Sequence, residues 1–486
     1  MVLLSFCVAV TAAQDDPPLR VELPTAQDAD DYNYTLLGKN GVMVFYEGEH
    51  INADTTEWVL MHYDTNLQKV NVFTIRQSVK AAFRQSYCDK GNLYLLFQDV
   101  VNKKEIPLTY LSVIDIGSTK YQNFTLENIP SFEISKLKAT DGNAVFSIIH
   151  GDSYFIYFYN TNRRKLKDFI IRDAAIISEQ FIEIDSLNEK FVLGLGTLYP
   201  DKSALMAVYE TTYQGELLRE IPLPYAEGYY YNSVRYKLID STSAMLIGTY
   251  NLAKSKKSGF YHTGVYTMHY QNSRLSAPEF FNYTNLHRKK EGEEGQNEQP
   301  ADLQLLIGDI VANDSCFTLV TEVYYPEYNY NSNYYDNMSS YYYGSAYSPA
   351  TTTFVGYRYV NAYVTCFDRS GNLLWDNYFP FSNILTRRLA KRVSVYYTPY
   401  GTVIFYPYNS TLTATLIDGY NVVENLATIP IESNYKKDAV DYSRDINMYN
   451  WYDNKFLICG YQHIINNSKG NRGKRYVFFI NKLEYR

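Results

Sequence analysis

Residues 361–380, NAYVTCFDRSGNLLWDNYFP, contain two apolar runs separated by a polar turn. The first run, residues 363–367, is rich in aromatic and β-branched side chains and ends at Asp368. Residues 368–372, DRSGN, have the composition of a tight turn, and the second run begins with LLW at residues 373–375. This order of β-formers, turn residues and β-formers predicts a β-hairpin.

The same pattern recurs along the whole chain. An apolar segment ends in an aromatic residue or Ile and is followed by Asp, Asn, Glu or Gln, at intervals of about 50 residues. The junctions are Tyr63-Asp64, Ile114-Asp115, Tyr159-Asn160, Tyr209-Glu210, Tyr270-Gln271, Phe367-Asp368, Ile417-Asp418 and Ile480-Asn481. Asp and Asn suit these positions because their side chains accept hydrogen bonds from the backbone of the turn that they open.

A second series of turns alternates with the first, and each of its members precedes a hydrophobic segment. The turns contain Asn40-Gly41, Gly91-Asn92, Asp141-Gly142, Asp185-Ser186, Asp240-Ser241, Asn313-Asp314, Tyr400-Gly401 and Asp453-Asn454. Each repeat therefore reads as strand a, tight turn, strand b, variable loop, strand c, polar turn and strand d. Eight such repeats fill the chain.

Repeats of four antiparallel strands and about 45–50 residues are typical of β-propellers, and the chain resembles that superfamily over nearly its whole length. We therefore predict an all-β fold, a single β-propeller with eight blades, or seven as the alternative. Residues 371–375, GNLLW, also resemble the Gly-x-Leu-Leu-Trp hairpin of quinoprotein-like propellers. A partial copy at residues 215–218 has Arg219 where Trp would stand, and most other repeats lack the hairpin, so we predict no quinone and no other cofactor.

The N-terminal residues 2–13, VLLSFCVAVTAA, are apolar and end in small residues, as a secretory signal peptide does. We expect cleavage near Ala13, leaving residues 14–486 as one exported domain, whether periplasmic, cell-surface or extracellular. Residues 19–24, LRVELP, resemble the outer strand LREIP of the fourth repeat. They are predicted to complete the last blade, which is otherwise one strand short; the alternative is a disordered acidic tail.

Composition excludes some classes of function. A formal net charge of −7 argues against a nucleic-acid-binding protein, which needs a basic face. After the N-terminal segment no apolar run is long enough for a transmembrane helix. Of the cysteines outside that segment, Cys316 and Cys366 fall on facing strands of one hairpin, so either a disulfide or two buried thiols is consistent with the sequence.

The candidate binding residues are tyrosines, which total 51 in this chain. In a propeller the b–c and d–a connections lie on one face, and here they are the longer and more irregular set. Residues 324–357 form a predicted Tyr-rich loop insertion between strands b and c of the sixth repeat, and a shorter cluster connects the fourth and fifth. The candidates are Tyr229, Tyr230, Tyr231, Tyr334, Tyr335, Tyr341, Tyr342 and Tyr343.

No motif in the sequence indicates a catalytic or metal site. A Gly-x-Ser-x-Gly elbow, a His-Glu-x-x-His zinc motif, a phosphate-binding loop and an EF-hand loop are all missing, and no metal ligand set is predicted. The favoured function is therefore non-catalytic recognition of a protein or glycan through the tyrosines. The alternatives are a polysaccharide hydrolase or lyase acting at the mouth of the central channel, and a structural subunit of an envelope assembly.

Overall fold

The computed structural model describes residues 19–484 apart from 28, 102–106, 131–133, 151–152, 172–175, 200–203, 253–263, 273, 283–303, 331–351, 409, 420, 436, 454 and 467–472. The described residues form eight antiparallel sheets arranged as an eight-bladed β-propeller. Regular helix among them is limited to a 3₁₀ turn at Gly38–Asn40. The predicted all-β class and the predicted blade number are thus confirmed.

The chain begins with β1 (Arg20–Pro24) and then builds the first four blades in order. Blade one consists of β2 (Asn33–Leu36), β3 (Val42–His50), β4 (Thr55–Tyr63) and β5 (Lys69–Ser78). Blade two consists of β6 (Ala81–Asp89), β7 (Asn92–Asp99), β8 (Thr109–Asp115) and β9 (Tyr121–Leu126). Blade three consists of β10 (Ile134–Thr140), β11 (Asn143–His150), β12 (Ser153–Asn160) and β13 (Lys165–Ile171). Blade four consists of β14 (Ile176–Asp185), β15 (Lys190–Leu198), β16 (Ala204–Thr212) and β17 (Leu217–Pro222).

The other four blades follow the same plan, with some strands divided. Blade five consists of β18 (Tyr229–Tyr231), β19 (Arg235–Leu238), β20 (Ser243–Leu252), β21 (Gly264–Gln271), β22 (Arg274–Leu275) and β23 (Glu279–Asn282). Blade six consists of β24 (Gln304–Ile307), β25 (Val311–Ala312), β26 (Cys316–Tyr330), β27 (Thr352–Asp368) and β28 (Leu373–Thr386). Blade seven consists of β29 (Ser394–Thr398), β30 (Gly401–Tyr408), β31 (Thr411–Asp418) and β32 (Asn421–Pro430). Blade eight consists of β33 (Asp438–Tyr452), β34 (Lys455–Asn466) and β35 (Gly473–Glu484), with β1 as its fourth strand.

The hairpin that decides the fold is β27–β28. Asp368 accepts hydrogen bonds at Oδ1 from the backbone N–H groups of Ser370 (2.8 Å) and Asn372 (2.9 Å). Gly371 has φ +86°, a conformation that a residue with a side chain rarely adopts. The same device recurs at Asp64, whose Oδ1 accepts from Asn66 and Gln68 at 2.8 Å. At Asp64 and Asp368, the polar residue that ends the apolar segment therefore fixes the turn after it.

The hydrophobic cores lie between neighbouring blades. Because each sheet packs on a blade at both sides, its middle strands are buried on both faces and read as nearly continuous apolar runs, such as Phe191–Leu195 within β15. Gly194 in that run is required by close packing, since a Cβ there would lie 2.2 Å from Cε1 of Phe181. Burial between blades, rather than a one-sided core, explains the large apolar fraction of the sequence.

The ring closes as the sequence predicts. β1 pairs antiparallel with β35, from Arg20 opposite Asn481 to Pro24 opposite Val477. Blades eight and one also meet directly, where Nε1 of Trp451 donates to the carbonyl of Gly41 (3.2 Å). The last blade thus takes its outermost strand from the start of the chain, and the ring becomes continuous.

Two predicted strand ends differ from the structure. In blade four, strand β16 continues two residues past Glu210 to Thr212, and in blade eight β35 continues past Asn481 to Glu484. Glu210 does not open its turn because its carboxylate is buried and bound by Lys190 and Tyr270. Within the described ranges, no helix has the length and apolarity that crossing a membrane requires.

Candidate functional site

The two ends of the propeller carry different connections. One end, which we call the turn face, carries the a–b and c–d turns such as residues 186–189, 399–400 and 369–372. The opposite end, which we call the loop face, carries the b–c and d–a connections such as residues 51–54, 223–228 and 431–435. The candidate tyrosines are predicted from the sequence to lie on the loop face.

Two of the three tyrosines at positions 229–231 pack against neighbouring residues of the propeller and are only partly exposed to solvent. They form the short strand β18, which pairs with the end of β20. The Tyr229 ring stacks on Phe280 with centroids 4.0 Å apart, and the Tyr231 hydroxyl donates to the carbonyl of Pro224 (2.6 Å). Tyr230 points the other way and is exposed. Side chains alternate along a strand, so only the middle residue is available to a partner.

The predicted Tyr-rich insertion begins and ends in β-strands. Strands β26 and β27 continue beyond the blade as a two-stranded hairpin, paired out to Tyr330 opposite Thr352. Glu327 and Arg358 form an ion pair across this extension. The candidates Tyr334, Tyr335, Tyr341, Tyr342 and Tyr343 lie outside the described residues. The hairpin nevertheless fixes where the chain leaves and re-enters the propeller.

The loop face presents a set of exposed tyrosines that the sequence analysis largely missed. Seven tyrosines in the described part of the chain have high exposure, and five of them lie on the loop face, with exposures from 38% to 89%. The five are Tyr225, Tyr230, Tyr328, Tyr435 and Tyr442. Tyr400 lies on the turn face, and Tyr378 lies on the outer strand β28. Tyr230 was a named candidate and Tyr328 lies in the predicted Tyr-rich insertion, whereas Tyr225, Tyr435 and Tyr442 were not singled out from the sequence.

The loop-face end of blade eight holds two of these tyrosines on a charged and aromatic framework. The Arg475 guanidinium lies 5.2 Å from the centre of the Tyr435 ring and forms ion pairs with Asp438 and Glu22. Tyr442 lies beside His463, with ring centroids 5.5 Å apart. Anchored rings lose little conformational freedom when a partner binds, so this corner is suited to recognition.

His463 is held by a carboxylate, as a histidine that acts as a general base often is. Its Nδ1 lies 2.9 Å from Asp441 Oδ2, and its ring stacks on Tyr476 with centroids 4.4 Å apart. The Nε2 atom is buried and has no hydrogen-bond partner among the described residues. No hydroxyl or thiol among the described residues is hydrogen-bonded to this nitrogen. Within those residues, the His463–Asp441 pair therefore has no nucleophile to activate.

The mouth of the central channel is where the alternative function, a hydrolase or lyase, would have its catalytic groups. The first strands of blades one to five contact one another in turn, as do those of blades seven and eight, as expected of strands that surround the axis. Three carboxylates on or beside first strands are paired with lysines: Glu179 with Lys136 (3.2 Å), Glu183 with Lys138 (3.3 Å) and Asp309, between β24 and β25, with Lys391 (2.6 Å).

Of these carboxylates, Asp309 has a lowered pKa. Burial acts to raise the pKa of Asp309, but the charges of Lys391, Arg235 and Lys138 together outweigh burial. A general acid needs a raised pKa, so Asp309 is unsuited to that role. No group of three or more His, Cys, Asp or Glu residues that could hold a metal occurs among the described residues.

A cavity of about 540 Å³ opens on the turn face between blades four and five. In it, Lys190 forms ion pairs with Asp185 and Glu210, and the Tyr270 hydroxyl donates to Glu210. Asn188 donates to the carbonyl of Ser241 in blade five (2.8 Å). The charged groups of this cavity therefore satisfy one another and join two blades.

Comparison with known proteins adds little about function. No protein-family model matches the sequence. Esterase P of Drosophila melanogaster is 29% identical over 131 residues, which are 26% of this chain and 23% of that protein, so the chain spans about a quarter of the length of the curated relative it matches.

Solved structures show low similarity. The β-propeller domain of the Trilobed protease from Pyrococcus furiosus has a TM-score of 0.37 and 10% identity, covering 83% of this chain and 99% of that one. A eukaryotic initiation factor has a TM-score of 0.37 and 10% identity, covering 90% and 94%. Cobalt-substituted Synechocystis ACO has a TM-score of 0.32 and 5% identity, covering 52% and 65%. Similarities of this size carry no argument about activity, and the chain is described by its own architecture, an eight-bladed β-propeller.

Proposed function

We propose that this propeller is a non-catalytic binding protein that recognises a protein or glycan partner through its loop face. The observation that supports the proposal most directly is that five of the seven exposed tyrosines among the described residues lie on that face: Tyr225, Tyr230, Tyr328, Tyr435 and Tyr442. Exposed tyrosines offer a large contact area and a polar tip at low entropic cost, and they are enriched where proteins bind partners. The export expected from residues 2–13 would place the partner outside the cytoplasm.

The distribution of charge supports binding over catalysis at the channel. Glu179, Glu183 and Asp309 are each ion-paired with a lysine, whereas a hydrolase or lyase needs a carboxylate that can change protonation or attack. A binding face needs no such group. A polysaccharide hydrolase is therefore the second choice, and a structural subunit would use the same loop face for assembly.

The first prediction tests the exposed tyrosines. Replacing all five with Ser should reduce the amount of partner retained from a native extracellular extract at least about tenfold, because the loss of several anchors removes most of the binding energy. The control is Tyr400→Ser, which removes a highly exposed ring from the turn face and should leave retention unchanged. Equal retention by both variants, with unchanged melting temperatures, would place the binding surface elsewhere.

The same assay tests residues 331–351. Tyr330 is paired with Thr352, so an Asn-Gly turn placed between these two residues would close the hairpin without altering the described strands. If this segment supplies the tyrosines that bind, its replacement should lower retention as much as the five substitutions do. Treating the extract with periodate beforehand separates the two partner classes, because oxidation destroys vicinal diols of glycans and leaves most protein surfaces intact.

A further inference from the structure

Cys316 and Cys366 lie on neighbouring strands at the turn-face end of the β26–β27 hairpin. Cys316 is opposite Asp368, and Cys366 is opposite Thr318, so the two cysteines are diagonal neighbours on one face of the sheet. Both are buried free cysteines, and their side chains lie close enough for each to shift the pKa of the other. Joining them requires the sulfur atoms to approach to a bond length of about 2 Å and the two Cα atoms to lie within about 7 Å of each other, so the diagonal pair must draw together slightly.

The surroundings make the two thiols unequal. The neighbouring Cys366 thiol lowers the pKa of Cys316, against the opposing effect of burial, and Tyr397, Asn313 and Arg369 act in the same direction as Cys366. The pKa of Cys366 is raised by the neighbouring Cys316 thiol and by burial. Cys316 also directly follows the exposed residues Asp314 and Ser315, which bring it near the surface.

We propose that Cys316 and Cys366 are an oxidation site, which forms a disulfide across the base of the β26–β27 hairpin on reaction with an organic disulfide such as oxidised glutathione. The Cys316 thiolate attacks one glutathione sulfur, which forms a mixed disulfide and releases a glutathione thiolate. Cys366 then loses its proton and attacks the Cys316 sulfur, which releases the second glutathione. Two cysteine thiols are oxidised, and one glutathione disulfide is reduced to two thiols.

The bond would constrain the part of the chain that leads to the loop face. It would close a loop containing most of β26, most of β27 and residues 331–351 between them. A crosslink of this kind restricts the unfolded chain more than the folded one and therefore stabilises the fold. It would also hold the hairpin in register at the end opposite to its tip. This inference is independent of the binding function proposed above.

The test uses the full chain in glutathione buffers of defined ratio. After oxidation, the protein is unfolded in urea with N-ethylmaleimide and digested with trypsin. Before reduction, the peptide 359–369, which contains Cys366, should carry no maleimide and should be linked to the peptide containing Cys316; it should appear as a separate peptide only after reduction. The oxidised protein should melt about 2–5 °C above the reduced protein.

Two controls separate the pair from the remaining thiols. In Cys366→Ser the oxidant should no longer raise the melting temperature, whereas in Cys88→Ser the rise should persist. Cys88 is a suitable control because its thiol lies in blade two and burial raises its pKa to about 11. Full alkylation of Cys366 after oxidation, or linkage of Cys316 to Cys88 or Cys459 instead, would overturn the proposal.

Discussion

Lys190 shows how a single side chain can determine the stability of a blade and of its contact with the next one, through Glu210 and Tyr270. Its ammonium lies between two buried carboxylates, Asp185 and Glu210, and is itself largely buried. Charges removed from water are tolerated only when they are paired. The turn-face cavity is therefore a structural joint, in which the loss of one charge leaves the others unbalanced.

We predict that Lys190→Met lowers the free energy of unfolding by about 3–5 kcal/mol, because two buried carboxylates lose their cation. Urea unfolding followed by tyrosine fluorescence measures the effect. Lys39→Met is the matched control, since Lys39 pairs with Asp453 at the surface (3.5 Å) and such pairs contribute less than about 1 kcal/mol. Equal stability of the two variants would contradict this view of the cavity.

Glu322 provides a prediction about pH. Burial raises its pKa to about 7, although the backbone N–H groups of Arg392 (2.7 Å) and Val393 (2.8 Å) donate to Oε1 and favour the charged form. A pKa that is higher in the folded than in the unfolded chain means that the folded state favours the proton. Its stabilising contribution is therefore complete below about pH 4.5 and is lost as the pH rises through about 7.

We predict that Glu322→Gln removes this dependence. The amide oxygen can accept the same two N–H bonds without a charge, so the variant should gain up to about 3 kcal/mol relative to the native protein between pH 5 and pH 8. Urea titrations of both proteins at the two pH values measure the difference. Parallel changes in both proteins would show that Glu322 does not titrate in this range.

At the scale of elements, the β26–β27 hairpin shows why the sequence predicts a loop at residues where the structure has strands. Pro326 interrupts the sequence, and proline normally excludes a segment from the middle of a sheet. β24 pairs with β26 as far as Tyr324, and beyond that residue no other described strand lies on this side of β26, so Pro326 interrupts no described pairing there. Register shifts after Val323 and Glu327 accommodate the proline. The β-forming residues of this segment can be recognised in the sequence, but the point at which the neighbouring strand β24 ends cannot.

The β18 strand shows the same limit in the candidate site. The sequence analysis could identify Tyr229, Tyr230 and Tyr231 as unusual, but their exposure depends on Phe280, which is distant in the chain and lies against Tyr229. Tyr435 and Tyr442 were overlooked for a related reason. Their environment comes from Arg475 and His463 on other strands, and no local pattern specifies those contacts.

At the scale of the whole molecule, the number of blades could be predicted because short sequence patterns mark the turns of each blade. Each blade needs its own turns, and Asp and Gly mark them by direct hydrogen bonding and backbone geometry, as at Asp368 and Gly371. The choice of binding face followed from topology. Which side chains on that face are exposed depends on how adjacent blades pack, and this could not be read from the repeat.

Closure of the ring depends on Arg20, whose side chain is fully buried. It donates to Glu22 Oε1 (2.8 Å), Asn481 Oδ1 (2.7 Å) and Gln462 Oε1 (2.8 Å). It also donates to the carbonyl of Glu432, beyond the end of blade seven (3.1 Å). Arg20 therefore ties β1 to blade eight and to its neighbour, and its removal would leave several buried acceptors unpaired.

We predict that a chain beginning at residue 25 melts several degrees below one beginning at residue 14. The deletion removes β1, exposes the edge of β35 and returns buried apolar area to water, with a loss on the order of a few kcal/mol. Arg20→Met in the longer chain should reproduce part of the loss, at least about 2 kcal/mol, because its acceptors remain buried without a donor. A chain beginning at residue 19 is the control and should melt with the longer one. If all three chain lengths melted together, β1 would not contribute to closure, and the pairing between β33, β34 and β35 would have to stabilise blade eight alone.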